Sequence, residues 1–205
     1  MRQPRWQRRA EDRPREICSA ALEVFSEKGF AAAKLDEIAR RAGVSKGTLY
    51  LYFKDKEDIF RAVVRETIAP NIDTVRGLVE GSDLPFADVI RMLLPRFAII
   101  ASRVRVGAVA KMVIGESRNF PELAKVWHDE VVSRALGLVG GLIERAQAKG
   151  EIRPGDPRLH AFTLMGPMVM GILWRETLQP VGGASLDLEA LAKQHSESVL
   201  AGLLA

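Results

Sequence analysis

The sequence predicts an all-α protein, and three observations carry that expectation, while the length permits either one large domain or a small domain joined to a larger one. Apolar residues recur with the 3.6-residue period of a helix along nearly the whole chain. No stretch sustains the period-two alternation of a strand. Turn residues cluster between the periodic segments, at Gly81-Ser82, Ser117–Pro121, Gly150–Pro157 and Pro180–Ser185. The 205 residues, 47% hydrophobic but only 6% aromatic, are enough for a core, and an aliphatic one. No internal repeat or low-complexity tract interrupts the pattern.

Residues 1–13 are polar and arginine-rich and read as a disordered basic arm. From Pro14 the period begins, with Ile17, Ala21, Val24 and Phe25 on one face of a helix that should end near Gly29. A short second helix places Leu35, Ile38, Ala39 and Ala42 together, with Asp36 and Glu37 in its first turn, and Gly43 breaks it. Ser45 is a good N-cap for a third helix holding Leu49 and Phe53. Asp55 caps a fourth, whose Ile59, Phe60, Val63, Val64 and Thr67 run toward Pro70. Further helices are expected at about 71–80, 85–102, 105–116, 121–149, 156–178 and 186–204.

Charge is distributed unevenly. Residues 1–54 hold 12 Lys/Arg against 7 Asp/Glu, a balance of +5, whereas residues 55–205 balance at −1. Such asymmetry points to a nucleic-acid or membrane-surface partner for the N-terminal end. The segment LDEIARRAGVSKGTLYLYFK, residues 35–54, gives that partner a shape. Two short helices joined by a glycine turn make either a plain αα-hairpin with a solvated face or a helix-turn-helix, whose second helix can enter the major groove of DNA, and the charge bias and small polar helix start favour the latter. With Ala39 and Leu49 packing the pair, the outward positions are Ser45, Lys46, Gly47, Thr48, Tyr50 and Tyr52. Lys46 and Thr48 suit base edges, the tyrosine hydroxyls and Lys54 suit phosphates, and Gly47 lets the backbone come close.

Residues 14–60 resemble the DNA-binding domain of the tetracycline-repressor (TetR) family, through AALEVFSEKGF and LDEIARRAGVSKGTLYLYFKDKEDIF. The similarity is close over about a quarter of the chain and continues as helix pattern, with ESRNFPEL also resembling that family's ligand domains. One departure stands out: where the family carries threonine before the second helix, this chain has Ala33 and Lys34. Ala33 cannot cap, and Lys34 would supply a phosphate contact through its charge instead. The resemblance implies a DNA-binding transcriptional regulator, a repressor released from a palindromic double-stranded operator by a small-molecule effector. It implies that residues 61–205 form the ligand-sensing and dimerisation domain, and that the last two helices pair across a two-fold axis in a homodimer. The arginine arm either enters the minor groove beside the recognition helix or is a solvated terminus.

The residues of the larger part fit these expectations. The segment 159–174 is apolar nearly all round, so its helix should be covered on every side, with Gly166 and Gly171 allowing close approach and Pro167 a kink. Phe97, Met112, Trp127, His128, Met165, Met168 and Trp174 are candidates to line an adaptable apolar pocket, each serving equally well as core. Arg103, Arg105 and Glu116 are candidates to meet a polar ligand group.

Other classes fare worse. Three histidines without an H-E-x-x-H pair, and the absence of phosphate-loop, G-x-S-x-G or dinucleotide fingerprints, leave no reaction, cofactor or metal to assign, so the chain is not read as an enzyme. An architectural DNA-binding protein would not need the large second domain, while activation in place of repression stays open. Cys18 is the only cysteine, so no internal disulfide forms. The arginine-rich start lacks an apolar signal core, and Ala161–Trp174 is too short to span a bilayer, which together suggest a cytoplasmic protein without membrane contact.

Overall fold

The computed structural model describes residues 5–80 and 82–204, and among them every regular element is helical, with one isolated bridge between Ile152 and Leu204. The first helix, α1, spans Arg5–Ala32. It takes in residues 5–13, expected as a disordered arm, whose arginines, Gln7, Ala10 and Glu11 are good helix formers. Residues 1–4 of that arm lie outside the described residues. α1 does not simply stop at Gly29: the chain kinks there at φ 78° and makes one more turn to Ala32.

α2 (Leu35–Arg41), α3 (Lys46–Tyr52) and α4 (Lys56–Val63) follow. α4 does not end at Pro70 as its sequence suggested. A π-helical turn, Val64–Ile68, carries it directly into α5 (Ala69–Glu80), with the Ala69 N–H donating to the Val64 carbonyl. α6 (Phe86–Arg103) and α7 (Val106–Glu116) come next. The rod expected at 121–149 is α8 (Pro121–Trp127), a second π-turn (His128–Val132) and α9 (Ser133–Ala148) end to end. α10 (Pro157–Thr177) and α11 (Leu188–Leu203) complete the chain, each capped by an aspartate, Asp156 or Asp187, that accepts from N–H groups of the first turn.

Two apolar cores hold the molecule together. In the first, Ile17, Val24 and Phe25 of α1 meet Ile38, Leu49, Ile59 and Phe60, and the same core continues into Val109, Met112 and Val113 of α7 and Leu123 of α8. The head therefore packs on the larger part through shared core rather than through a linker alone. Three aromatic rings, Phe25, Phe30 and Phe60, lie 5.4–6.2 Å apart in tilted and edge-on pairs. The second core joins Ile90 and Leu94 of α6, Leu142 and Ile143 of α9, Leu164 and Met168 of α10, and Ala192 and Leu200 of α11. Gly171 is what lets α10 and α11 approach: a Cβ there would stand 2.6 Å from Leu191 Cδ2. Within one chain α10 is not covered all round, because Leu159, Phe162, Val169 and Met170 remain exposed.

Candidate nucleic-acid interface and apolar cavity

The helix-turn-helix is fixed from inside and from its edges. Val44 N–H closes the turn on the Ala39 carbonyl, and Gly43 takes the positive φ of 66° that the turn needs. Ser45 Oγ accepts from Thr48 N–H at 3.0 Å and pairs with Thr48 Oγ1 at 2.8 Å, which starts α3. Leu49 and Phe53 anchor the other side of the helix in the core. Ala33, which stands where the family usually carries threonine, is buried, and no side chain caps α2 at Lys34. α2 is secured to α1 by Arg41, whose guanidinium meets Glu27 at 2.5 Å and Glu37 at 2.9 Å, with Lys28 on Glu37 at 2.6 Å.

The residues expected to face DNA are carried by α3 and its N-cap, and by the segments just before α2 and just after α3. Lys34, Ser45, Lys46, Gly47, Tyr50, Tyr52 and Lys54 are all exposed, and Thr48 is half-buried. Lys46 is engaged, its ammonium 2.7 Å from a carboxylate oxygen of Asp36 on α2. Leu51 belongs to the same face and escaped the sequence reading because only polar side chains were sought there. Its position four residues after Gly47 was the signal that marked it.

A joint ties the head to the larger part. Glu116, at the end of α7, accepts from the N–H groups of Phe30 (2.6 Å) and Ala31 (2.8 Å), just past the kink in α1. It is thus a structural anchor rather than a free ligand contact. Lys56, in the first turn of α4, donates to the carbonyls of Phe30, Ala31 and Ala33 at 2.6–3.2 Å and lies 4.5 Å above the Phe30 ring. Burial pulls its pKa below the ordinary 10.5, with Glu57 and Glu116 opposing that shift. Arg103 and Arg105 are exposed, and Arg105 adopts a positive φ of 51° where α6 turns into α7.

An apolar cavity of about 90 Å³ lies between α5, α6, α9 and α10. Ile68, Ile72, Leu93, Phe97, Leu138 and Met165 contribute to its wall, and Asn71 is its polar residue, donating through Nδ2 to the carbonyls of Thr67 and Ile68. Of the seven residues considered for a pocket, the structure brings Phe97 and Met165 together here. Met112 and Met168 are buried in the first and second cores respectively. Trp127 packs against the first core, Trp174 donates through Nε1 to the Ala184 carbonyl, and His128 is exposed beside Asp129. The wall residues missed by the sequence reading are aliphatic, and nothing distinguishes such side chains from ordinary core before the fold is known.

Both π-turns abut this cavity, Ile68 closing the first and Val131 lying within the second. They are cross-linked by Arg65 to Glu130 at 2.6 Å, while Arg134 pairs with Asp73.

Two family descriptions match this chain: "Bacterial regulatory proteins, tetR family" over residues 17–63, and "Tetracyclin repressor-like, C-terminal domain" over residues 86–200. The chain belongs to the TetR family. It is accordingly a DNA-binding transcriptional regulator, with α3 as the second helix of its helix-turn-helix. Among its relatives, the fatty acid metabolism regulator protein of Bacillus subtilis is 26% identical over 189 residues, covering 92% of this chain and 94% of that one. The regulator RutR of Escherichia coli is 26% identical over 197 residues, covering 89% and 84%. The crystal structure of FadR from B. subtilis in complex with stearoyl-CoA superposes with a TM-score of 0.77 at 26% identity, covering 92% of this chain and 98% of that one. A TetR-family regulator from Mesorhizobium loti gives 0.76 at 27% identity, covering 96% and 99%. In this TetR-family chain the first family match ends at Val63, where α4 passes into the π-turn beside the cavity.

Proposed function

We propose that this TetR-family regulator is a repressor that holds a pseudo-palindromic operator as a homodimer and is released when an apolar small molecule enters the cavity. The observation that carries this reading is the continuity of α4 with α5. Lys56 at one end grips the DNA-binding head, and Ile68, Asn71 and Ile72 farther along the same helical rod form part of the cavity wall. Whatever spreads that wall turns the head.

The cavity selects for hydrocarbon. Apolar cavities of about 150 Å³ stay dry and hold a benzene-sized molecule, so a void of about 90 Å³ must open before a larger ligand fits. Opening parts α5 from α6 and α9, which supplies the motion. The B. subtilis structure with stearoyl-CoA makes a long acyl chain the first ligand to test. Dimerisation runs through α10 and α11, and the outward side of α10 carries Leu159, Phe162, Val169 and Met170, with Gly166 open enough for close approach. Two α3 helices then occupy successive major grooves about 34–36 Å apart. Tyr50, Lys54 and Lys34 serve phosphates, and Lys46 and Thr48 read bases once Lys46 leaves Asp36. The protein works where its operator lies, in the cytoplasm.

The test begins with selection from a random duplex library at moderate salt, where non-specific phosphate binding is weak. A site with two inverted halves is expected, and stearoyl-CoA should then lower affinity for it by about 5–150-fold. Failure to enrich any sequence overturns the operator reading. Enrichment without release removes the long acyl chain from the ligand class. Alanine at Tyr50 or Lys54 should weaken all sequences alike, and alanine at Lys46 or Thr48 should change sequence preference.

A further inference from the structure

The recognition helix also presents an apolar side chain that hydrogen-bonding chemistry passes over. Leu51, at 82% exposure, is the most exposed large apolar residue among the described residues. Single exposed leucines are common on protein surfaces, so its surroundings decide what it means. Residues 47, 50 and 51 share one face of α3, being three and four apart. Gly47 stands one turn before Leu51, and nothing inside the chain requires glycine there. Its φ is not positive, and a Cβ would make only an ordinary 3.7 Å contact with Ser45 Oγ. The bare backbone at 47 therefore serves something outside the chain.

Polar groups beside this face are engaged with one another: Lys46 with Asp36, and Ser45 with Thr48. What the middle of α3 offers is a bare stretch of backbone, the half-exposed Tyr50 and the isobutyl group of Leu51. The corresponding apolar feature of the major groove is the C5-methyl of thymine.

Resting on the DNA-binding reading above, we propose that Leu51 is a specificity-determining residue: it reads thymine by packing on the C5-methyl, with Gly47 giving the backbone room to approach.

The experiment uses the full chain and the duplex it selects from a random library. Each thymine of that duplex is replaced in turn by deoxyuridine, which deletes the methyl and keeps the base-pairing and the O4 acceptor. Wild-type protein should lose about fourfold in affinity at one thymine of each half-site, the worth of one buried methyl-sized group. Leu51→Ala, which loses the contact in both half-sites of the dimer, should bind the thymine duplex about as weakly as wild type binds a duplex substituted at both of those thymines, and be indifferent to deoxyuridine there. Thr48→Ala, which removes a different base-reading group, should bind the selected duplex more weakly but keep the same ratio of about fourfold between thymine and deoxyuridine. Leu51 contributes nothing to the core, so its variant should melt with wild type. Indifference of wild type to every replacement, a selected site without thymine, or undiminished sensitivity in Leu51→Ala overturns the assignment while leaving DNA binding intact. Failure to select any duplex overturns the DNA-binding reading on which it rests.

Discussion

Asp36 holds the Lys46 ammonium with both side chains more than half exposed, a pairing that adds little to stability in water. On a surface that meets a polyanion it has a different consequence, since the carboxylate repels phosphates and occupies the cation. Asp36→Asn should bind all duplexes more tightly and, on a duplex without the operator where Lys46 has no base to read, steepen the slope of log affinity against log salt by about 0.9 per subunit, or about 1.8 for the dimer. Fluorescence anisotropy over a salt series checks this, and an unchanged slope would show that the freed Lys46 reaches no phosphate. Arg41 acts on stability instead. Its hydrogen bond holds Glu27 below the ordinary carboxylate value of 4.5, and Lys28 together with Arg41 does the same for Glu37. A carboxylate whose pKa is lowered by folding stabilises the fold above its unfolded value and loses that contribution as pH falls through the folded one. The α1–α2 clamp should thus be complete at neutral pH and fade below about pH 4.5. Melting temperatures across pH 2–7 should show a shallower acid limb in Arg41→Met than in wild type.

Between elements, the joint of α1, α4 and α7 carries the mechanical connection. Glu116→Ala leaves the part-buried Phe30 N–H without its acceptor, at a cost of about 1 kcal/mol, while the exposed Ala31 N–H turns to water. Gly29→Ala meets two obstacles, a φ of 78° and a Cβ that would stand 2.7 Å from Glu116 Oε1. Both variants should melt lower than wild type and bind operator more weakly, with ligand-dependent release blunted in Glu116→Ala; release of wild-type size in that variant would place the coupling elsewhere. None of this joint was legible in the sequence, because Phe30 and Glu116 are 86 residues apart. The elements themselves were legible, since the helical period in α6, α7 and α10 and the caps Ser45 and Asp55 are local chemistry. Pro70 read as a helix end because a proline inside a regular helix is costly. The chain passes it instead by a π-turn, Val64–Ile68, that runs directly into α5, in which Pro70 is the second residue.

At the scale of the whole molecule, the two apolar features of the larger part answer to different demands. The segment 159–174 reads as too apolar for a surface helix, and one chain buries only half of it: Ala161, Leu164, Met168 and Ile172 face inward. The outward half, with Phe162 at 58% exposure, has no partner within the described chain. The cavity was scarcely legible, because its wall is assembled from aliphatic residues of α5, α6, α9 and α10 that look like core. Phe162→Glu separates these demands. Since the side chain makes no contribution to either core, the subunit should keep its fold and its cavity. A carboxylate on each side of a two-fold interface would be buried unpaired beside its copy, and such burial is costly enough to part the subunits. Sedimentation should therefore show monomer for Phe162→Glu and dimer for wild type, with circular dichroism unchanged. A full palindrome should lose its advantage over a half-site, because two α3 helices would no longer arrive together. A variant that remains dimeric would move the interface away from α10.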